Sequence, residues 1–135
     1  YRDLGFAAAE GADETFDLGS VGAGHGATTY DLKGGVGSAS AVTASGYRVG
    51  ALAVVNAIGS AVANGGPHFL AAPYEEGREF GGLGLPPGLR LAAPGWKGGG
   101  QPATTLAVVA TDAILTKAQA RRLAMAAGGG LARSL

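Results

Sequence analysis

Two apolar stretches stand out along the chain. Residues 47–58 are rich in Val, Ala and Leu, and Gly46 and Gly59 border them. Residues 105–111 form a second, shorter apolar stretch. Both are too short to cross a bilayer, which takes about 20 apolar residues. Continuous apolar runs of this length are typical of strands with both faces buried, so the pattern predicts two buried β-strands.

A helix is predicted directly after the second strand. Thr116 has the side chain of a helix N-cap, and Gln119 lies at the spacing of a capping box. Residues 117–127 are good helix formers, whereas the glycines at 128–130 are expected to end or interrupt the helix. Residues 1–18 are mixed, and we expect them to hold the end of a helix and a turn.

Glycine dominates the remaining segments. It accounts for 26 of 135 residues, well above the usual share of about 7%, and it clusters without a fixed period. Residues 19–40 are expected to form a loop whose glycines allow left-handed and closely packed backbone. Residues 81–103 contain eight Gly and four Pro, which predicts a mobile surface loop. The order loop, strand, loop, strand, helix suggests a mixed α/β layered domain.

Composition narrows the function classes. The chain has the length of one ordinary domain with room for a core, and 47% of its residues are hydrophobic. Ten basic residues balance ten acidic ones, so neither nucleic acid nor a membrane surface is an expected partner. The first residues resemble no signal peptide and lack an initiator Met, so we expect the chain to begin within a longer protein. The sequence does not determine the cellular compartment of the protein, and of the possible compartments we favour the cytoplasm.

The residue types also exclude several kinds of site. Cysteine is absent, which excludes disulfides, zinc–thiolate sites and cysteine nucleophiles. Two isolated histidines, His25 and His68, do not make a metal site. The glycines around His25 lack the spacing of a dinucleotide-binding or phosphate-binding loop. The sequence therefore predicts neither a metal nor a cofactor.

The junction between the Gly/Pro-rich loop and the second strand carries the candidate chemistry. The loop ends at a hydroxyl residue, Thr104, where the apolar strand begins. An autocatalytic N-terminal nucleophile needs this arrangement, because the loop can bring the Ala103 carbonyl over the Thr104 hydroxyl. The freed α-amine, with an unperturbed pKa of about 7.7–8.0, can then act as general base. By pattern alone the signal is weak, because Thr is common at strand starts.

A resemblance to a known family strengthens this hypothesis. Five stretches resemble, in the same order, consecutive motifs of the DmpA aminopeptidase family, which is peptidase family S58. That family includes L-aminopeptidase/D-amidases, β-peptidyl aminopeptidases and nylon-oligomer hydrolases. The stretches are 19–28, 32–40, 49–56, 104–113 and 115–118.

The resemblance implies a fold and a domain organisation. The expected fold is an αββα layered sandwich, of a type that ornithine acetyltransferase shares. Residues 1–135 would form a single, partial peptidase domain. Within it, residues 81–103 would be the flexible loop before the autocleavage point, and residues 104–135 the start of the β chain that bears the nucleophile.

The resemblance further implies roles for individual residues. Thr104 matches the nucleophile at an autocleavage point between Ala103 and Thr104, and Asn56 matches the Asn that helps form the oxyanion hole. Lys33 matches a Lys near the nucleophile that acts electrostatically in some members. Many relatives have Asn where this chain has Ala103, and slower cleavage would follow. The implied substrates are small peptides or amides, hydrolysed through an acyl-threonine intermediate by homo-oligomers of processed α/β pairs.

Simpler explanations remain open beside these roles. Asn56 can equally make a structural hydrogen bond to a neighbouring loop, and Lys33 can be a solvated cation. The glutamates Glu75, Glu76 and Glu79 are expected to form a solvated face. For the chain as a whole, the alternatives are an incomplete or non-catalytic family fragment and an acetyltransferase of similar architecture.

Overall fold

The part of the chain that the structure describes combines one antiparallel sheet with two α-helices. A computed structural model describes residues 1–91 and 103–135. The strands of the sheet lie in the order β1-β2-β3. Helices and strands both occur along the chain, as in a mixed α/β fold. The elements are α1 (Arg2–Glu10), β1 (Gly35–Val42), β2 (Arg48–Val55), β3 (Leu106–Thr111) and α2 (Lys117–Ser134), with short 3₁₀ turns at Gly22–Gly24, Ala63–Gly65 and Ala72–Tyr74.

Both predicted strands are present, but their predicted burial on both faces is wrong. β2 and β3 lie within the two apolar stretches and pair antiparallel from Val49↔Thr111 to Val54↔Leu106. α2 packs on the sheet face that carries Val109, while Leu106 on the opposite face is 61% exposed. An apolar run shows that both faces of a strand can be covered, but the elements packed around the strand decide whether they are.

Strand β1 corrects the expectation of an irregular loop over residues 19–40. Its sequence of Gly, Ser, Ala and Val is poor in strand formers, yet it pairs with β2 from Gly35↔Val55 to Val42↔Arg48. The strand therefore exists because of long-range pairing with β2, which local propensity does not reveal.

Gly34 marks a close approach between backbone segments at the start of β1. A Cβ added at Gly34 would overlap the carbonyl oxygen of Val55 and would lie 3.1 Å from the backbone nitrogen of Thr28. No side chain fits there unless β2 or the preceding loop moves. Gly37, inside β1, has nothing within 4 Å of an added Cβ.

Gly34→Ala is expected to lower the free energy of unfolding by about 3 kcal/mol, since backbone must shift to relieve the overlap. Gly37→Ala serves as the control, and its effect should stay within about 0.5 kcal/mol. Chemical denaturation of both variants checks the prediction. Equal losses in the two variants would contradict it.

The start of α2 is confirmed as predicted. The Thr116 side chain accepts a hydrogen bond from the Gln119 backbone N–H, at 3.3 Å. The Gln119 side chain accepts one from the Thr116 backbone N–H, at 2.8 Å. Together these bonds form the reciprocal capping box, which satisfies two backbone donors that would otherwise lack partners.

The predicted end of α2 at the triple glycine is wrong, because the helix continues to Ser134. Glycine costs about 1 kcal/mol relative to Ala in a helix but does not forbid helical geometry. Contacts beyond the glycines hold the last turns. The Arg133 guanidinium lies 5.5 Å from the centre of the Tyr74 ring, and an added Cβ at Gly59 would lie 3.1 Å from the Leu135 backbone.

Gly130→Ala is accordingly expected to raise the free energy of unfolding by about 0.5–1 kcal/mol, because Ala restricts the unfolded chain and has open space here. Thermal unfolding followed by helical ellipticity measures the change. A lower midpoint in the variant would show that residues 128–130 are not helical in solution.

The Gly/Pro-rich loop contains no helix or strand in its described part, residues 81–91. One of its carbonyls, that of Gly84, lies 3.0 Å from the Nδ1 atom of His68. Residues 92–102 lie outside the described residues. The lack of regular structure is thus confirmed for residues 81–91, and mobility stays a prediction.

The predicted solvated acidic face holds for Glu76 and Glu79, which are exposed, but not for Glu75. Glu75 is half-buried, and its Oε1 accepts hydrogen bonds from the backbone N–H groups of Phe80 (2.7 Å) and Gly82 (2.9 Å). By accepting from two backbone donors, the Glu75 carboxylate stabilises the turn that contains Phe80 and Gly82.

The described residues form only a small core, contrary to the expectation from chain length. Its buried hydrophobic members are all small or medium-sized: Ala27, Val62, Ala63 and Ala72. Larger apolar side chains of the sheet stay exposed, including Leu106 at 61%. Within the described ranges, none of the helices has the length and apolar character of a membrane span.

Candidate active site

The register of β2 and β3 brings the candidate nucleophile and the candidate oxyanion donor to one end of the sheet. The last pair at that end is Val54↔Leu106. Asn56 directly follows β2, and Thr104 lies two residues before β3, so both flank this last pair at the same end of the sheet.

The Asn56 side chain is held by the loop before β1. Asn56 is half-buried, and its Oδ1 accepts a hydrogen bond from the Thr28 backbone N–H at 3.3 Å. The Ala57 N–H donates in return to the Thr28 carbonyl, at 3.1 Å. The structural bond to a neighbouring loop is therefore present. It uses the oxygen of the amide, so donation by Nδ2 to a substrate is a separate capacity of the side chain.

Lys33 reaches the same end of the sheet through this loop. Lys33 and Thr28 form an isolated antiparallel bridge, which places Lys33 beside the backbone that holds Asn56. The Lys33 side chain is exposed, as a solvated cation would be. The salt bridge between Arg48 and Asp112, at 3.8 Å, lies at the opposite end of β2.

The two neighbouring threonines at the start of β3 differ in access, which sequence alone does not reveal. Thr104 is exposed, and so is Ala103 before it. Thr105 is half-buried, and its hydroxyl is inaccessible to solvent and has no hydrogen-bond partner among residues 1–91 and 103–135. Solvent accessibility therefore favours Thr104 over Thr105 as the nucleophile.

A groove between β3 and α2 holds none of the candidate residues. Its volume is about 410 Å³, and apolar side chains such as Val109, Leu123 and Leu131 line it. The groove lies between α2 and the face of β3 that carries Ala107, Val109 and Thr111. Across the described part of the chain, no group of three His, Cys, Asp or Glu residues is placed to hold a metal ion.

Comparison with known proteins shows the family of this chain. The family is peptidase family S58, whose profile matches residues 3–135. The chain belongs to this family.

Mycobacterial relatives match almost the whole chain. A protein of Mycobacterium bovis named as an uncharacterized aminopeptidase is 42% identical over 141 residues, covering 98% of this chain and 40% of that protein. A protein of Mycobacterium tuberculosis bears the same description with the same identity and coverage. One from Mycobacterium leprae is 43% identical over 140 residues, covering 96% of this chain and 35% of that protein. The chain thus spans about 40% of the length of the relatives that it matches.

Proposed function

We propose that the chain carries the self-cleavage junction and part of the active site of an N-terminal-nucleophile aminopeptidase or amidase. The observation that carries this proposal is the pairing of β2 with β3, which brings Thr104 and Asn56 to one end of the sheet, where Lys33 also lies. Membership of a peptidase family and the aminopeptidase names of the relatives support it. The substrates would be small peptides or amides, with no cofactor required.

Self-cleavage would begin when the Thr104 hydroxyl oxygen attacks the carbonyl carbon of Ala103. The C–N bond between the two residues breaks, the Thr104 nitrogen takes a proton, and an ester joins Ala103 to the Thr104 oxygen. Water then attacks this ester and releases the Ala103 carboxylate and the Thr104 hydroxyl. Thr104 becomes the first residue of a new chain.

Turnover would reuse the same oxygen. The free α-amine of Thr104 takes the hydroxyl proton while the oxygen attacks the carbonyl carbon of the substrate amide. The leaving amine takes that proton, and the acyl group stays on Thr104 as an ester. Water hydrolyses the ester and regenerates the hydroxyl.

Asn56 and Lys33 would stabilise the charge that develops in both reactions. The carbonyl oxygen becomes an oxyanion in each tetrahedral intermediate, and Asn56 Nδ2 would donate a hydrogen bond to it. A side chain already fixed by the loop needs little reorganisation to do so. The Lys33 ammonium would act at longer range, favouring the neutral α-amine and the oxyanion.

The full architecture that we propose is the αββα layered sandwich. The exposed sheet face with Leu106 and Val108 would pack against a second sheet, which would enclose the Thr104 end between the two layers. Processed α/β pairs would then assemble into a homo-oligomer.

The intact mass of the purified chain, before and after long incubation, tests the proposal. We expect two products, one ending at Ala103 and one starting at Thr104. A single uncleaved mass from chain with a cooperative melting transition would contradict self-cleavage and favour a non-catalytic family member. Labelled acetyl transfer to an amino acid, assayed beside amide hydrolysis, distinguishes an acetyltransferase from a hydrolase.

A further inference from the structure

We propose that Thr29 is a positioning residue for the Asn56 amide, acting through the loop that joins residues 28 and 33. The inference rests on the proposed oxyanion role of Asn56. In this role Thr29 holds the Thr28 N–H in a position from which it can donate to only one orientation of that amide.

Thr29 is buried, and its hydroxyl is fully used inside the loop. The residue is 4% exposed, which makes it the one buried polar residue in the described ranges. Its Oγ1 accepts a hydrogen bond from the Leu32 N–H at 3.1 Å and donates to the Leu32 carbonyl at 3.2 Å. The Thr29 backbone N–H also donates to that carbonyl, at 2.8 Å.

The loop is joined to the exit of β2 on both sides of Thr29. On one side, the Ala57 N–H donates to the Thr28 carbonyl at 3.1 Å. On the other, the Tyr30 N–H donates to the Gly59 carbonyl at 2.9 Å. Thr29 therefore lies between the two bonds that fix this loop, and with it the Thr28 N–H, against the exit of β2.

The Thr28 N–H selects the orientation of the amide because it can only donate. It pairs with Oδ1 of Asn56, and a flipped amide would set two donors against each other. The chosen orientation directs the NH₂ group away from the loop. Loss of the Thr29 hydroxyl would leave the Leu32 N–H without its side-chain acceptor and would remove two of the hydrogen bonds that close the loop.

Thr29→Val removes the hydroxyl with little change of shape, and Thr29→Ser keeps it. In the whole chain, Thr29→Val is expected to slow cleavage after Ala103 about tenfold. This is less than the loss of about 10²–10³ for removing an oxyanion donor outright. Thr29→Ser should stay within about twofold, and Thr29→Cys, with its weaker hydrogen bonds, should fall between the two. Where the processed enzyme hydrolyses an aminoacyl p-nitroanilide, kcat should follow this order while KM changes by less than about twofold.

Rates are compared per folded molecule, below the melting temperature of each variant, so that lost stability does not count as lost positioning. A cleavage rate in folded Thr29→Val equal to that of the unaltered chain would overturn the proposal. Cleavage rates that depart from the order Ser, Cys, Val would also overturn it. If the Val variant fails to fold, the comparison of the Ser and Cys variants still decides the matter.

Hydrogen exchange at the Thr28 amide separates this inference from the proposed function. The amide should exchange at least about tenfold faster in Thr29→Val than in Thr29→Ser. If the unaltered chain does not cleave itself, the proposed function fails, and this measurement alone decides whether Thr29 holds the Thr28 donor. Unchanged exchange in Thr29→Val would refute the positioning role.

Discussion

Replacing Thr104 with Ala is expected to abolish both self-cleavage and amide hydrolysis. The same oxygen makes the bond to carbon in both reactions, so its removal stops both. Removing a hydrolase nucleophile costs kcat on the order of 10⁶-fold. Intact mass shows the loss of cleavage, and a chromogenic amide assay shows the loss of turnover.

Two variants control for this substitution. Thr104→Ser retains a hydroxyl at the same position and should still cleave. Thr105→Ala removes the adjacent hydroxyl, which is inaccessible in the structure, and should leave cleavage at Ala103 unaffected. Hydrolysis that persists in Thr104→Ala, or that disappears in Thr105→Ala alone, would reassign the nucleophile.

Replacing Asn56 with Asp should lower kcat by about 10²–10³-fold, the usual loss for one oxyanion donor. A carboxylate has the shape of the amide and can still accept the Thr28 N–H, so the structural bond is retained. It cannot donate to an oxyanion, and its charge opposes the developing negative charge. Steady-state kinetics of the processed variant provide the measurement, with melting temperature as the check on folding.

Asn56→Ala distinguishes the two roles of this side chain. It removes both the acceptor for the Thr28 N–H and the donor for the substrate, so stability and kcat should fall together. If Asn56→Asp keeps the unaltered kcat while Asn56→Ala loses stability, the bond to Thr28 is the whole function of Asn56. The oxyanion role is then wrong.

Local signals determined much of the fold and of the site. The apolar stretches predicted β2 and β3 because continuous apolar runs of this length, bordered by turn residues, are typical of strands. Thr116 and Gln119 predicted the start of α2, because a capping box involves only residues three positions apart. The junction at Thr104 was found because a Gly/Pro-rich loop meets a strand there, and the family resemblance singled out Asn56 and Lys33.

Only the tertiary structure decided the features that depend on partners distant in the sequence. β1 forms by pairing with β2 despite weak propensity, and α2 runs through its glycines to Ser134. The pairing of β2 with β3 brings Thr104 and Asn56 to the same end of the sheet, and the Thr28 N–H donates to the Asn56 side chain. In each case the stabilising contact joins segments many residues apart, and such contacts leave no periodic or capping signal in the local sequence.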